Sequence, residues 1–168
     1  KQAHVARLNI SLDTLNAQKF TELTRTGDLE TVLKGIHTAV NTGFQAIKIN
    51  AVILKNRNDD EVVDLVLFAQ DLGIDISFIE EMPLGLINSH DRAETYYSSD
   101  QIKADLDAHF NLQKITDKTA GPSDYYRIQG SKTKVGFISP HSHNFCSTCN
   151  RVRLTAEGRL LLCLGNEH

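Results

Sequence analysis

Residues 46–82 read "AIKINAVILKNRNDDEVVDLVLFAQDLGIDISFIEEM". The run "AIKINAVIL" (46–54) is a strand. "NDDEVVDLVLFAQDLG" is a helix closed by Gly73, and "DISFIEEM" (75–82) is the next strand. A strand, a helix ending in glycine and then another strand is the signature of a βαβ unit with a parallel sheet. The pattern extends upstream. "VARLNISL" (5–12) reads as a short buried strand. "DTLNAQKFTELTR" follows with helical spacing at Leu15, Phe20 and Leu23, and Asp13 is placed to cap it. "DLETVLKGIHTAVNTG" is a stronger helix. Leu29, Val32, Leu33, Ile36, Ala39 and Val40 form its apolar stripe, and Gly43 ends it. Ligand sites in such folds lie beyond the carboxyl ends of the strands. That singles out Ser11 and Asp13, Lys48 and Asn50, and Glu80 to Met82.

The texture changes at Pro83. "PLGLINSHDRAETYY" reads as loop. "SSDQIKADLDAHF" is a short helix with Ser98 and Gln101 at capping-box spacing. Short strands follow at "LQKIT", "YYRIQ" and "KVGFIS", with "TAGPSD" as a turn between the first two. The chain therefore divides into an α/β part, residues 1–82, and a small α+β region, residues 83–168. No internal repeat beyond the βα alternation and no low-complexity tract is present.

Composition limits the function classes. The 168 residues are 40% hydrophobic and 23% charged, enough apolar content for a real core. A net charge of -3 gives no basic excess to neutralise phosphates, so a nucleic-acid partner is not expected. No apolar run reaches the roughly 20 residues of a membrane span, and no signal peptide is visible, so the expected location is the cytoplasm. The chain starts "KQAHVARLNI" without an initiator Met and stops at "CLGNEH", which reads as a piece of a longer protein. A partial sheet of this kind would expose an edge and apolar surface, with self-association, or dependence on the missing segment, as the expected consequence.

All three cysteines fall in "NFCSTCNRVRLTAEGRLLLC" (144–163), as Cys146, Cys149 and Cys163. An odd, clustered set is poor disulfide framework and a better metal site. "RVRLT-AEG-RLLLC" has the form of a β-hairpin whose three-residue loop ends in Gly158. If Thr155 faces Arg159, then Arg153 faces Leu161 and Arg151 faces Cys163. Arg151, Arg153 and Cys163 then share one face, since strand side chains alternate. Three thiols and two guanidiniums would gather in one region. Thiolates bind soft metals, and arginine forks suit phosphate or carboxylate. Two metal readings stay open on the residues alone: structural zinc with His141 or His143 as fourth ligand, or an iron–sulfur cluster with one iron left for an anionic substrate. The bland alternatives are a solvated strand face for Arg151 and Arg153, an exposed edge for Lys48, core for Met82 and helix caps for Ser11 and Asp13.

"NISLDTL", "IKINAVILKNRNDDEV", "FIEEMPLG", "AGPSDYYRIQG" and "FCSTCNRVRLTAEGRLLLCL" occur in that order. Together they resemble the radical-SAM GTP 3',8-cyclase family (molybdenum cofactor biosynthesis protein A) across essentially the whole chain. The resemblance implies the second half of an incomplete (β/α)6 radical-SAM barrel, followed by a C-terminal region with a cysteine-bearing hairpin. It implies two [4Fe-4S] clusters. The N-terminal one, on a C-x3-C-x2-C motif, cleaves S-adenosylmethionine to a 5'-deoxyadenosyl radical that starts conversion of GTP to (8S)-3',8-cyclo-7,8-dihydroguanosine 5'-triphosphate. The C-terminal one would be held by Cys146, Cys149 and Cys163, with its open iron on the guanine. Arg151, Arg153 and Lys48 would contact GTP, and Ser11 and Met82 would line the S-adenosylmethionine pocket. Partners implied are GTP and the enzyme acting next on the product, and a homodimer is admitted. No cysteine precedes Cys146, so this chain alone is expected to be inactive. Many relatives carry an arginine in the strand before "FIE", where this chain has Ser77. The competing readings are another radical-SAM enzyme with an auxiliary cluster and a non-catalytic zinc-stabilised module.

Overall fold

The computed structural model describes residues 5–82, 90–116, 121–149 and 152–161. The first strand, β1 (Arg7–Ser11), leads into α1 (Ala17–Thr24) and α2 (Leu29–Thr42). Then come β2 (Ala46–Ile53), a 3-10 turn (Asp59–Glu61), α3 (Val62–Asp71) and β3 (Asp75–Glu80). After the undescribed residues 83–89 stand α4 (Arg92–Thr95), α5 (Ser99–Asp107), β4 (Leu112–Lys114), β5 (Asp124–Ile128) and β6 (Lys134–Ile138). A two-stranded hairpin, β7 (Arg153–Leu154) and β8 (Leu160–Leu161), follows a second 3-10 turn at Cys146–Thr148.

The helix ends follow local chemistry. Asp28 caps α2 by accepting from the Thr31 amide, and Gly43 ends it in the left-handed conformation, φ 73°. Ser98 and Gln101 form the reciprocal capping box of α5. At α1 the expected cap is corrected. Asn16, not Asp13, receives the amides of Gln18 and Lys19. Asp13 instead accepts the amide of Val52 at 2.8 Å. The helix starts later because Glu61 holds the preceding turn, accepting from Thr14 Oγ1 at 2.7 Å and from the Leu15 amide at 2.8 Å. That bond spans 47 residues, so no local rule reveals it. The short α4 lies in the stretch expected to be loop. Its cap is Asp91, which accepts from the Ala93 amide.

Among the described residues, six strands form one sheet in the order β1-β2-β3-β6-β5-β4. The pairs β1–β2, β2–β3 and β3–β6 are parallel, and β6–β5 and β5–β4 are antiparallel. The texture change at residue 83 therefore does not interrupt the sheet, since β6 pairs directly with β3. The two faces differ in chemistry. Ile47, Ile49, Ala51 and Ile53 of β2, Ile76 and Phe78 of β3, and Val135 and Phe137 of β6 are buried in one core with Ile36, Leu65, Val66, Ile102 and Leu106 of the helices. The opposite face is polar over most of its width. No described helix is long and apolar enough to cross a membrane.

Candidate active site on the polar face of the sheet

Residues directly paired across a sheet share a face, so the register writes out this surface in rows. One row runs Asn9, Lys48, Asp75, Lys134, Arg127. The strand step from Ile76↔Val135 places Lys134 beside Asp75, and the Lys134 amide donates to Asp75 Oδ1 at 2.9 Å. The next row toward the carboxyl ends of the parallel strands is Ser11, Asn50, Ser77, Gly136, Tyr125. A parallel sheet ordinarily buries both faces as apolar surface. Here one face holds lysines, an arginine, an aspartate, an amide and hydroxyls instead.

The first row sets Lys48, Lys134 and Arg127 alongside the Asp75 carboxylate. Lys134 Nζ lies 3.9 Å from Asp75 Oδ2. Burial raises the Asp75 carboxyl above its ordinary value. The Lys134 amide and the charges of Lys134, Lys48 and Arg127 pull it back only in part. Lys48 is half-buried, and its Nζ donates to the Tyr125 hydroxyl at 3.1 Å. Both Lys48 Nζ, at 5.7 Å, and Lys134 Nζ, at 5.9 Å, lie over the Tyr125 ring.

In the second row, Ser77 Oγ, Asn50 Oδ1 and the nearby Ser123 Oγ are buried with no hydrogen-bond partner among the described residues. Gly136 explains how they come so close. A Cβ there would meet Ser123 Oγ at 2.3 Å, Ser77 Oγ at 2.5 Å and Tyr125 Cε1 at 2.9 Å. Only glycine leaves this notch open.

At the carboxyl ends of β1 to β3 a cleft of about 200 Å³ is lined by Asp13, Leu23, Arg25, Val52, Arg57, Glu81 and others. Asp13 and Glu81 neighbour the sequence-selected Ser11 and Met82. Ser11 is exposed at the end of β1, and Met82 is half-buried just after β3. Burial raises the Asp13 carboxyl, and the Val52 amide offsets this in part. Glu81 Oε1 accepts from His90 Nε2 at 2.8 Å.

The cysteine segment is tied to the same strand ends. Glu80, fully buried at the end of β3, accepts the amides of Ser99 (2.8 Å), His141 (3.0 Å) and Ser142 (3.1 Å), and the Ser142 hydroxyl. From there the chain runs to Cys146. A 3-10 turn, with the Cys149 amide on the Cys146 carbonyl at 3.3 Å, carries Cys146 and Cys149, both exposed free thiols. His143 Nε2 instead meets the Asp100 carboxylate at 3.1 Å, and the His141 ring packs edge-on to Tyr96. Arg153, exposed on β7, pairs with Leu161, and the Thr155 amide donates to the Arg159 carbonyl. Gly158 has φ 80° in the hairpin loop. Arg151 and Cys163 lie outside the described residues.

Of the selected residues, the structure thus brings Ser11, Lys48 and Asn50 onto one face. It puts Cys146 and Cys149 on one turn and leaves Arg153 on a separate hairpin. Tyr125, Lys134, Arg127 and Asp75 were not selected from sequence. Each looks like an ordinary strand residue until register sets it on the same face as Lys48.

Two comparisons with known proteins bear on this site. A family model described as Molybdenum Cofactor Synthesis C matches residues 74–168, and one described as Radical SAM superfamily matches residues 1–69. The chain is 62% identical over 167 residues to the GTP 3',8-cyclase of Pseudomonas putida (strain W619), covering 99% of this chain and 50% of that protein. It is 60% identical over 167 residues to that of Pseudomonas entomophila (strain L48), with the same coverage. It is 59% identical over 166 residues to that of Saccharophagus degradans, again covering half of the relative. The chain spans about half the length of the curated relatives it matches.

Proposed function

We propose, from the premise that this chain belongs to the Molybdenum Cofactor Synthesis C family, that it is the substrate-binding part of a radical-SAM GTP 3',8-cyclase. In this reading the sheet is the later half of an incomplete (β/α)6 barrel, and its polar face is the barrel interior. Residues 83–168 complete the sheet and carry the second cluster. The observation that carries the reading is Lys48, half-buried on the polar face of the sheet with its ammonium on the Tyr125 hydroxyl. A sheet face that forgoes apolar packing and presents a lysine suits an anionic substrate such as a nucleoside triphosphate.

Each selected residue then has a role. Lys48 neutralises phosphate from the barrel wall, its ammonium held in place by Tyr125. Arg153, with Arg151, offers a guanidinium fork to GTP. Ser11 and Met82 line the S-adenosylmethionine pocket. The mixed charges of the neighbouring cleft, Asp13 and Glu81 with Arg25 and Arg57, suit the zwitterionic end of that molecule. Cys146 and Cys149, with Cys163, would hold a [4Fe-4S] cluster. The fit rests on two exposed thiols on one turn, since soft thiolates are the ligands such clusters take. When bound, S-adenosylmethionine and the clusters supply the hydrogen-abstracting chemistry and an open iron for the base. The protein's part is to bind, orient and shield GTP. The N-terminal cluster motif is not in this sequence, so turnover requires more than this chain. We read the protein as cytoplasmic, handing its product to the next enzyme of molybdopterin precursor synthesis.

The test is anaerobic reconstitution with iron and sulfide, followed by iron, sulfide and zinc analysis with and without GTP. About four irons and four sulfides per C-terminal site, with a spectrum altered by GTP, is the expected result. One tightly held zinc, no sulfide and no response to GTP would leave a structural zinc module instead.

A further inference from the structure

The cysteine segment is anchored to the sheet at its near end. Glu80 holds the amides of His141 and Ser142, and His143 Nε2 meets the Asp100 carboxylate at 3.1 Å. Past these bonds there is no burial to continue the hold. Among the described residues from His141 to Leu161, none is buried. The hairpin in that stretch has two residues in each strand, with Arg153 opposite Leu161 and Leu154 opposite Leu160. Its aliphatic side chains Val152, Leu154 and Leu160 are 61%, 69% and 60% exposed.

A two-stranded hairpin of this kind is marginal in water by itself. Ordering its residues costs backbone entropy, and apolar burial is the term that ordinarily offsets that cost. The loop is closed by the Thr155 amide on the Arg159 carbonyl at 2.9 Å, the Gly158 amide on the Thr155 carbonyl at 3.0 Å and the Arg159 amide on Thr155 Oγ1 at 3.1 Å. Water competes for each of these bonds at the surface. A metal clip works differently. It removes freedom from the open chain and needs no buried surface to do so. The thiols stand where a clip would act. Cys146 and Cys149 are exposed on the turn before the hairpin, and Cys163 follows Leu161 closely in the sequence.

We propose that metal bound by these cysteines orders the β7–β8 hairpin, and that Arg153 takes its place toward the substrate only in the loaded protein. This rests on the reading of Cys146, Cys149 and Cys163 as one metal site and deepens it. The metal then assembles the arginine side of the substrate site, so loading precedes capture of an anionic substrate by that side. Coupling of this kind is reciprocal. What the metal gives the hairpin in order, an ordered hairpin returns as a firmer hold on the metal. Gly158 opens that second direction to test. Its φ of 80° favours glycine, and a Cβ there would meet nothing within 4 Å. Alanine therefore disfavours the loop through the backbone alone and leaves the thiols and arginines in place.

The experiment follows amide hydrogen exchange in the complete protein, metal-free and after anaerobic loading with iron and sulfide. Wild type is compared with Cys149→Ser and Gly158→Ala. In metal-free wild type the amides of Thr155, Gly158 and Arg159 are expected to exchange near the unprotected rate. Loading is expected to slow them at least tenfold, while the Glu80-bound amides of His141 and Ser142 change less than twofold. Tryptic cleavage after Arg153 and Arg159 should slow in step. Cys149→Ser still loads any cluster held elsewhere in the protein and is expected to show no slowing. Gly158→Ala is expected to lose iron to a chelator several-fold faster than wild type. Full uptake of iron and sulfide with these three amides unchanged, the same slowing in Cys149→Ser, or wild-type iron retention in Gly158→Ala would each overturn this inference and leave the cluster reading standing. No metal bound at the three cysteines would overturn the cluster reading, and this inference with it.

Discussion

Substituting Glu80 tests how the cysteine segment is attached to the sheet. Its carboxylate is fully buried and accepts three backbone amides and one hydroxyl from two distant segments, the start of α5 and residues 141–142. Hydrogen bonds to a charged group contribute about 1.5–3 kcal/mol each, and an orphaned buried donor costs about 1–3 kcal/mol. Glu80→Ala removes all four bonds. The amides at His141 and Ser142 sit in an exposed loop and regain water. The Ser99 amide, in a residue only 4% exposed, does not. The expected net loss is therefore about 4 kcal/mol, less than the gross sum. For a chain of this size that lowers the melting temperature by about 8–16 °C. Glu80→Gln keeps the shape but turns an amide donor toward the amides, and about half that loss is expected.

The pH dependence has a definite sign. Burial alone would raise the Glu80 carboxyl, but the bonds from Ser142, Ser99 and His141 outweigh it and hold the group below its usual 4.5. A depressed folded value means that its stabilisation is present above that range and lost as pH falls through the folded value. Acid unfolding of Glu80→Gln should therefore be shallower than that of wild type. Thermal melts and hydrogen exchange of residues 139–145 read the effect. A melting temperature for Glu80→Ala within about 2 °C of wild type, with amide protection at 141 and 142 unchanged, would refute the reasoning.

Gly136→Ala drives a methyl into Ser77, Ser123 and the Tyr125 ring. An overpacking loss of about 1–3 kcal/mol is expected from urea midpoints, and an unchanged midpoint would mean that the notch is wider than described. Burial and the Asp105 carboxylate push the Tyr97 hydroxyl up to about 12. The neutral phenol thus stabilises the fold below its ordinary 10, and that contribution is lost as pH rises from there toward 12. Tyr96 is also raised, by burial and the Glu80 carboxylate, so an ultraviolet titration should show a late tyrosine component that Tyr97→Phe diminishes. Cys146→Ser and Cys149→Ser change exposed free thiols. Each should leave metal-free stability within about 0.5 kcal/mol of wild type, while reconstituted iron falls by more than half. Iron retained in full would remove these cysteines from the cluster.

How much was legible in the sequence followed distance along the chain. The alternation of strands and helices, the caps at Asp28 and Ser98, and the glycine endings at Gly43 and Gly73 come from backbone groups within a few residues, so periodicity and cap chemistry suffice to read them. The cysteine spacing and Lys48 in an apolar strand were visible for the same reason. Asp13 reads as a cap in the sequence because its actual partner, Val52, is 39 residues away. Strand order is non-local too. Nothing in "KVGFI" says that it pairs with β3 rather than extending a separate appendage, yet that pairing puts Lys134 beside Asp75. The bond from Lys48 to Tyr125 spans 77 residues, and Glu80 reaches 61 and 62 residues to His141 and Ser142. Near neighbours fix the strand–helix alternation and its caps, so the sequence alone carries them, whereas α4 and the strand order it does not. Which polar side chains meet on one face, Lys48 with Asp75 and Tyr125, follows from register, which joins residues far apart along the chain.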